Sequence, residues 1–392
     1  MKQLYVTVAL VFLFAFYPIV AFANEDKQVS DPTIQSESAI LLDANTGSIL
    51  YEKNSKETMY PASLTKMATA IYAIEKGKLD DIVTVSENAW ETGGTRVYLE
   101  PGEQVPLEKL VQGLLINSGN DAGVAIAEHL HGDVESFSNA LNVYLKEEIG
   151  LQDTNFVNPH GLFDENHYTT AHDLAVLTQY ALRNKEFTEI FGMKELPWVG
   201  TGWETTIYNH HRLLLGEIPY EGIIGGKNGF VQQSRFTLST AAEQGELKLV
   251  AIVLMAHTSD ISYDDTVELL DYGFENFEVS EVSGDQSFST SKGRESYQLK
   301  APLSYTHKKD EVVNIELDEL GVLKVQGDDG RILASKQLEQ NMPREVVSTR
   351  AELKDTEVRK SGISYTYIFL ALSFIFVGIA IYLRNRVNTY PE

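Results

Sequence analysis

Strand-forming sequence stands at both ends of a largely helical body, and that distribution limits the fold more than any other feature of the chain. Ser38 to Lys53 holds two apolar runs around Asn45-Thr46-Gly47, the pattern of a hairpin. From Gly222 the texture returns to strands, over Ile223–Phe230, Arg235–Ala242 and Leu247–Ala256. Between them, residues 61–76 place Leu64, Met67, Ala68, Ile71 and Ile74 at helical spacing, with Pro61 suited to a first turn and Gly77 stopping the pattern. Further helices are predicted over 106–116, 121–131, 134–149 and 171–183, the last opening on Thr169-Thr170 as caps, and a closing helix over Thr266–Phe277. A sheet fed from both ends of the body, with the helices between, is an α+β arrangement.

The flanks read differently. Lys2 precedes an uncharged run from Leu4 to Phe22, and Ala21-Phe22-Ala23 forms a cleavage signal, so residues 1–23 are expected to be a signal peptide and the body to occupy 30–278. The serine-rich stretch 280–292 reads as a linker, and residues 293–340 as a small β-rich domain of short alternating runs punctuated by Gly321, Gly327 and Gly330. A stalk over 341–363 then leads to 364–384, where Tyr365 to Leu383 carries no charge and is long enough to span a bilayer. Tyr382, Arg384 and Arg386 fit a positive cytoplasmic flank before the tail 385–392. The expectation is a single-pass protein of the cell membrane, with its folded body on the extracytoplasmic side.

Composition narrows the chemistry. Lys and Arg total 32 against 56 Asp and Glu, a formal charge of −24 that repels phosphate backbones, so nucleic acid is not expected as a partner. Cysteine is absent, which excludes disulfides and thiolate catalysis and leaves an oxygen or an amine as any covalent nucleophile. No H-E-x-x-H spacing unites the histidines and no glycine-rich phosphate loop follows a strand, so neither a metal nor a cofactor is expected.

Three short segments hold the candidate chemistry. In Ser63-Leu64-Thr65-Lys66 a serine at a helix start has a lysine one turn later on the same face, and such an amine can take the hydroxyl proton if burial and nearby positive charge lower its pKa. Ser118-Gly119-Asn120 lies between two predicted helices, where it either aims a hydroxyl and an amide into a cleft or simply caps the next helix. Lys227-Asn228-Gly229 follows Gly225-Gly226 in a predicted strand, a place for a positive charge beside a close backbone approach. Any one of these alone is commonplace.

Their order and spacing as a set resemble the S-x-x-K, S-D-N and K-T-G motifs of class A β-lactamases and penicillin-binding proteins, with Gly119 in place of the aspartate, which makes a class A β-lactamase the weaker reading. Together with Pro61-Ala62, Asn158-Pro159-His160-Gly161-Leu162 and Tyr272-Gly273-Phe274, they are similar to the D-alanyl-D-alanine carboxypeptidases among the low-molecular-mass members. The resemblance covers roughly residues 36–278. It implies a β-lactamase or penicillin-binding-protein-like transpeptidase fold, an antiparallel sheet with a helical region; in this chain the small all-β domain follows, and the C-terminal transmembrane helix stands where the family more usually has an amphipathic anchor. It implies that Ser63 is acylated, that Lys66 is its general base and that Ser118 relays a proton to the leaving D-alanine. Asn120 would bind the substrate amide and orient Lys66. Lys227 would hold Ser118 and attract the terminal carboxylate, and the N–H groups of Ser63 and Phe230 would receive the oxyanion. Stem peptides ending in D-Ala-D-Ala and β-lactam antibiotics are the implied partners.

Two departures stand out. Asn228 replaces the family's threonine, and Ser234-Arg235 stands where the family has an Ala-Gly pair, so Asn228 and Arg235, with His210, become candidates for an altered carboxylate site. They also keep open an alternative, a catalytically impaired protein that senses or scaffolds wall synthesis.

Overall fold

The computed structural model describes residues 31–290 and 296–340. Five strands form its main antiparallel sheet: β1 (Ser38–Asp43), β2 (Ile49–Lys53), β3 (Ile223–Val231), β4 (Arg235–Gln244) and β5 (Leu247–Ala256), in the spatial order β2-β1-β5-β4-β3. The N-terminal hairpin thus pairs with the last strand of the body. Ser38 lies opposite Leu254 and Asp43 opposite Leu249. Alternation of side chains across a strand sends Ile40, Leu42, Val250 and Ile252 into one core and Ala39, Leu41, Leu249 and Ala251 into another. Both faces are covered, which is why β5 reads as a nearly unbroken apolar run.

The first core is closed by α1 (Thr65–Lys76), α2 (Leu107–Ile116), α3 (Asn120–His131), α4 (Val134–Tyr144), α5 (Ala171–Ala181) and α6 (Lys185–Phe191). On the opposite face α7 (Ser259–Asn276) lays Leu269, Leu270 and Tyr263 over the sheet. Thr170 caps α5 through the N–H of Asp173, as its position suggested. The last helix starts seven residues before the expected Thr266. Thr258 caps it, and the polar run Ser259–Asp265 is held inward because Asp265 accepts from Gln35 N–H and from both the N–H and the hydroxyl of Ser36. The sequence reading missed α6 and two short two-stranded ladders, Ile82–Thr84 with Gln104–Pro106 and Glu195–Val199 with Glu204–Tyr208.

The segment expected to be a linker is largely strand. Phe277–Val282 pairs with Leu303–Lys308, and Gln286–Ser289 pairs with Ser296–Leu299. Val282, Tyr297, Leu299, Tyr305, Leu323 and Val325 build a third core, so the β-rich module begins at the end of α7 and not at 293. Its apolar alternation is masked by the serine and glutamate residues on the outward face. Thr306 donates to Asp43 and meets Thr46, which joins the module to the β1–β2 turn. Among the described residues no helix is long and apolar enough to cross a membrane. The expected signal peptide, stalk, transmembrane helix and tail lie outside those residues.

Candidate active site

Three elements converge on Ser63. A tight turn of 3₁₀ helix, Ala62–Leu64, runs into α1 and leaves Ser63 half-buried while Lys66, one turn on, is wholly enclosed. Lys66 Nζ donates to Ser63 Oγ at 3.0 Å and to the His160 carbonyl at 2.6 Å. Burial pushes this amine well below its ordinary pKa, the Lys227 ammonium pushes it further, and the Asp121 carboxylate pulls part of the way back. Such an amine can be neutral and basic beside a hydroxyl.

The His160 carbonyl is aimed by the turn that carries it. Asn158 Oδ1 accepts from the N–H groups of His160 and Gly161, and Asn158 Nδ2 donates to Leu162 O. Thr69 Oγ1 pins Pro159 O onto α1. The His160 imidazole is held down at about 3 by burial, then by Lys66 and His167, and so adds no charge.

On the second side, Ser118 is buried with φ +60°, a left-handed conformation rare for serine. The cap of α3 is Gly119, with no side-chain hydrogen bond, so neither Ser118 nor Asn120 is spent on capping. Asn120 Nδ2 donates to Gly93 O and Asn120 N–H to Thr95 O, while Asp121 accepts from Val97 N–H and Leu99 N–H. This segment therefore clasps the loop 93–99. The expected role of Asn120 in orienting Lys66 has no hydrogen bond behind it among the described residues; Lys66 Nζ is held by Ser63 Oγ and the His160 carbonyl.

The third side is the edge strand β3. A Cβ on Gly229 would stand 2.7 Å from Ser63 N, so only glycine lets the strand approach the serine. Gly226 makes room in the same way for the buried His211 ring, a protein group and not substrate. Lys227 is buried, donates to the Asn228 carbonyl at 2.9 Å, and has its pKa pulled down to about 7 by burial. No hydrogen bond joins it to Ser118 among the described residues, although it bears electrostatically on Lys66. Phe230 lies exposed on the rim against Phe236, with ring centroids 4.7 Å apart.

A match to the family model for D-alanyl-D-alanine carboxypeptidases spans residues 25–258. The chain belongs to that family. It is 35% identical over 287 residues to D-alanyl-D-alanine carboxypeptidase DacF of Bacillus subtilis, covering 71% of this chain and 72% of the relative. With DacC of Escherichia coli it shares 36% over 304 residues, covering 72% and 71%. Penicillin-binding protein 5 of Haemophilus influenzae superposes with a TM-score of 0.70 at 28% identity, over 80% of this chain and 98% of that one. The fold is therefore the penicillin-binding-protein transpeptidase fold of this family.

Within that frame the departures fall in different places. Asn228 lies on β3 opposite Leu238, between Lys227 and Gly229. Arg235 opens β4 opposite Val231 with φ +51°, and its guanidinium lies 3.2 Å from His257 Nε2. His210 is held below its ordinary pKa by desolvation of its ring and by Lys227, so it brings no positive charge at neutral pH. Among the described residues, the carboxylates near enough to share a cation are Glu311, Asp328 and Asp329 in the β-rich module, and Arg331 already engages Glu311. The sequence reading missed Thr65 and His167, which lie behind the serine. Their only prior signals were the x position of the S-x-x-K motif and one histidine among several.

Proposed function

We propose that the chain is a serine-type D-alanyl-D-alanine carboxypeptidase that removes the terminal D-alanine of peptidoglycan stem peptides through an acyl-enzyme on Ser63. The observation that carries this reading is the 3.0 Å contact from the buried, pKa-depressed Lys66 amine to Ser63 Oγ. Ser63 Oγ attacks the penultimate carbonyl carbon and its proton passes to Lys66 Nζ. Ser118 relays a proton to the D-alanine nitrogen as the peptide bond breaks. Water then opens the ester and returns the proton to Ser63. Asn120 Oδ1, which accepts nothing among the described residues, takes the substrate amide N–H. Lys227 attracts the terminal carboxylate, with Asn228 as a further donor, while the N–H groups of Ser63 and Phe230 receive the oxyanion. β-Lactams acylate the same serine.

The full-length chain incubated with a peptide ending in D-Ala-D-Ala should release D-alanine, and Ser63→Ala should not. A fluorescent penicillin adduct that persists in Ser63→Ala would exclude Ser63 as the nucleophile. Asn228 does not tip the balance toward a silent sensor, because the serine–lysine pair is intact and the relatives named above are carboxypeptidases. The uncharged runs at both ends support a cleaved export signal and a C-terminal spanning helix that holds the enzyme on the outer face of the cytoplasmic membrane. Fractionation tests this: deleting residues 364–392 should move the penicillin-labelled protein from membrane to soluble fraction.

A further inference from the structure

The peptide unit joining Ala62 to Ser63 is under unusual constraint. Its C=O and N–H point in opposite directions because the unit is planar and trans, so whatever grips the Ala62 carbonyl also aims the Ser63 N–H. That N–H opens onto Gly229. Ala62 has φ +49°, a left-handed conformation that costs a non-glycine residue about 1 kcal/mol or more and needs support from its surroundings.

The support is a buried chain of hydrogen bonds. Val157 N–H donates to His167 Nδ1 at 3.1 Å, so that nitrogen carries no proton and the neutral ring bears it on Nε2. His167 Nε2 lies 2.8 Å from Thr65 Oγ1, and Thr65 Oγ1 donates to the Ala62 carbonyl at 2.9 Å. The direction of every bond is thereby settled: imidazole to hydroxyl, hydroxyl to carbonyl. Phe156 stacks on the His167 ring at 4.9 Å, and Thr65, His167 and Phe156 are all buried. A threonine bonding back to a nearby carbonyl is an ordinary local motif. An imidazole 102 residues away that saturates the same hydroxyl is not local. Burial pulls His167 down to about 3, Asp164 opposes and Lys66 adds to the fall, so the ring is neutral at neutral pH.

We propose that His167, acting through Thr65, is a positioning residue that fixes the Ala62–Ser63 peptide so that the Ser63 N–H points at the substrate oxyanion. The inference rests on Ser63 being the nucleophile.

Two matched pairs of variants test it in the full-length protein. Thr65→Val keeps the shape and removes the hydroxyl, whereas Thr65→Ser keeps the hydroxyl. His167→Phe keeps the stack on Phe156 and removes the donor, whereas His167→Gln retains an N–H near the Nε2 position. Removing an oxyanion donor outright costs about 10²–10³-fold, so mis-aiming one should cost about 10–100-fold. Thr65→Val and His167→Phe should lose that factor in the penicillin acylation rate and in kcat, with KM within about two-fold of the parent, because the donor acts mainly in the transition state. A peptide boronic acid, whose oxygen occupies the oxyanion position, should weaken by the same factor. Thr65→Ser and His167→Gln should recover most of the loss. Rates are expressed per serine that the label titrates at long times, so misfolded protein does not count. Acylation by both Thr65→Val and His167→Phe within two-fold of the parent, with only a lower Tm, would overturn the inference and leave Ser63 as nucleophile untouched. An adduct in Ser63→Ala would instead overturn the reading beneath it.

Discussion

The Lys66 amine lies between two acceptors, Ser63 Oγ at 3.0 Å and the His160 carbonyl at 2.6 Å. A neutral amine offers two N–H donors and one lone pair, so the carbonyl can take one proton and leave the lone pair free to face the serine. Two buried lysines share this crevice, and each task asks for a different charge: Lys66 must be neutral to accept a proton, and Lys227 must be charged to attract a carboxylate.

The pH profile should separate the two. Lys66 is pushed down by burial and then by Lys227, so base activity appears as pH rises through its lowered pKa. Lys227, at about 7, loses its charge as pH rises through that value, so kcat/KM should fall on the alkaline side of neutrality. A bound carboxylate favours the charged amine and should move that fall to higher pH in kcat than in kcat/KM. In Lys227→Arg the guanidinium stays charged, so the alkaline fall should vanish while the acid limb remains. An unchanged alkaline limb in that variant would remove Lys227 from the carboxylate site.

The same burial makes a stability prediction with a defined sign. With a folded pKa of about 7 and an ordinary value of 10.5, Lys227 binds fewer protons folded than unfolded between those limits, so its contribution to stability rises with pH there. Below about 7 the full penalty of a buried charge is present. Lys227→Met should therefore raise Tm by several degrees at pH 6 and by clearly less at pH 9. Thermal melts at both pH values check this, and an equal or larger gain at pH 9 contradicts it.

How much of this was legible depended on whether the signal was local. The apolar run of β5 announced a central strand, and Ser63 and Lys66, one turn apart, announced a possible nucleophile and base. The polar run Ser259–Asp265 hid the first turns of α7, because its inward pull comes from Asp265 gripping the distant Ser36. The left-handed Ala62 could not be read at all, since alanine carries no preference for that conformation; it is imposed by contacts with Gly161 and Thr65. Asn120 was expected to hold Lys66, and the partner its Nδ2 does find, the Gly93 carbonyl 27 residues away, is set by the fold and not by any local motif.

Gly161 should be irreplaceable. Its φ is +86°, and a Cβ there would stand 1.8 Å from the Ala62 carbonyl oxygen, which cannot retreat without turning the Ser63 N–H. Gly161→Ala should cost at least about 2 kcal/mol, from the left-handed conformation and the backbone clash together. It should also slow penicillin acylation more than its fall in Tm accounts for. Parent-like acylation would show that the Ala62 carbonyl is free to move.

The Asn228 side chain makes no hydrogen bond among the described residues, so its amide is available to substrate but sits farther out than a hydroxyl would. Asn228→Thr should lower KM for a D-Ala-D-Ala peptide by about five-fold, the equivalent of about 1 kcal/mol for a better-placed bond to a charged group. Steady-state kinetics decide it, and a rise in KM would mean that the amide is the better donor here.

Arg235 occupies a left-handed conformation that suits glycine. Its φ of +51° carries a left-handed cost, while its guanidinium meets His257 at 3.2 Å in an exposed contact worth little. In the register of β3 and β4, Arg235 faces Val231, whereas Lys227 faces Ser239 four residues deeper, about 13 Å along the strand. Arg235→Gly should therefore stabilise the protein by about 1 kcal/mol, seen as a rise in Tm of about 2 °C, and leave KM for the D-Ala-D-Ala peptide within two-fold. A large rise in KM would instead place the guanidinium on the substrate carboxylate, which requires Arg235 to leave His257 when the peptide binds.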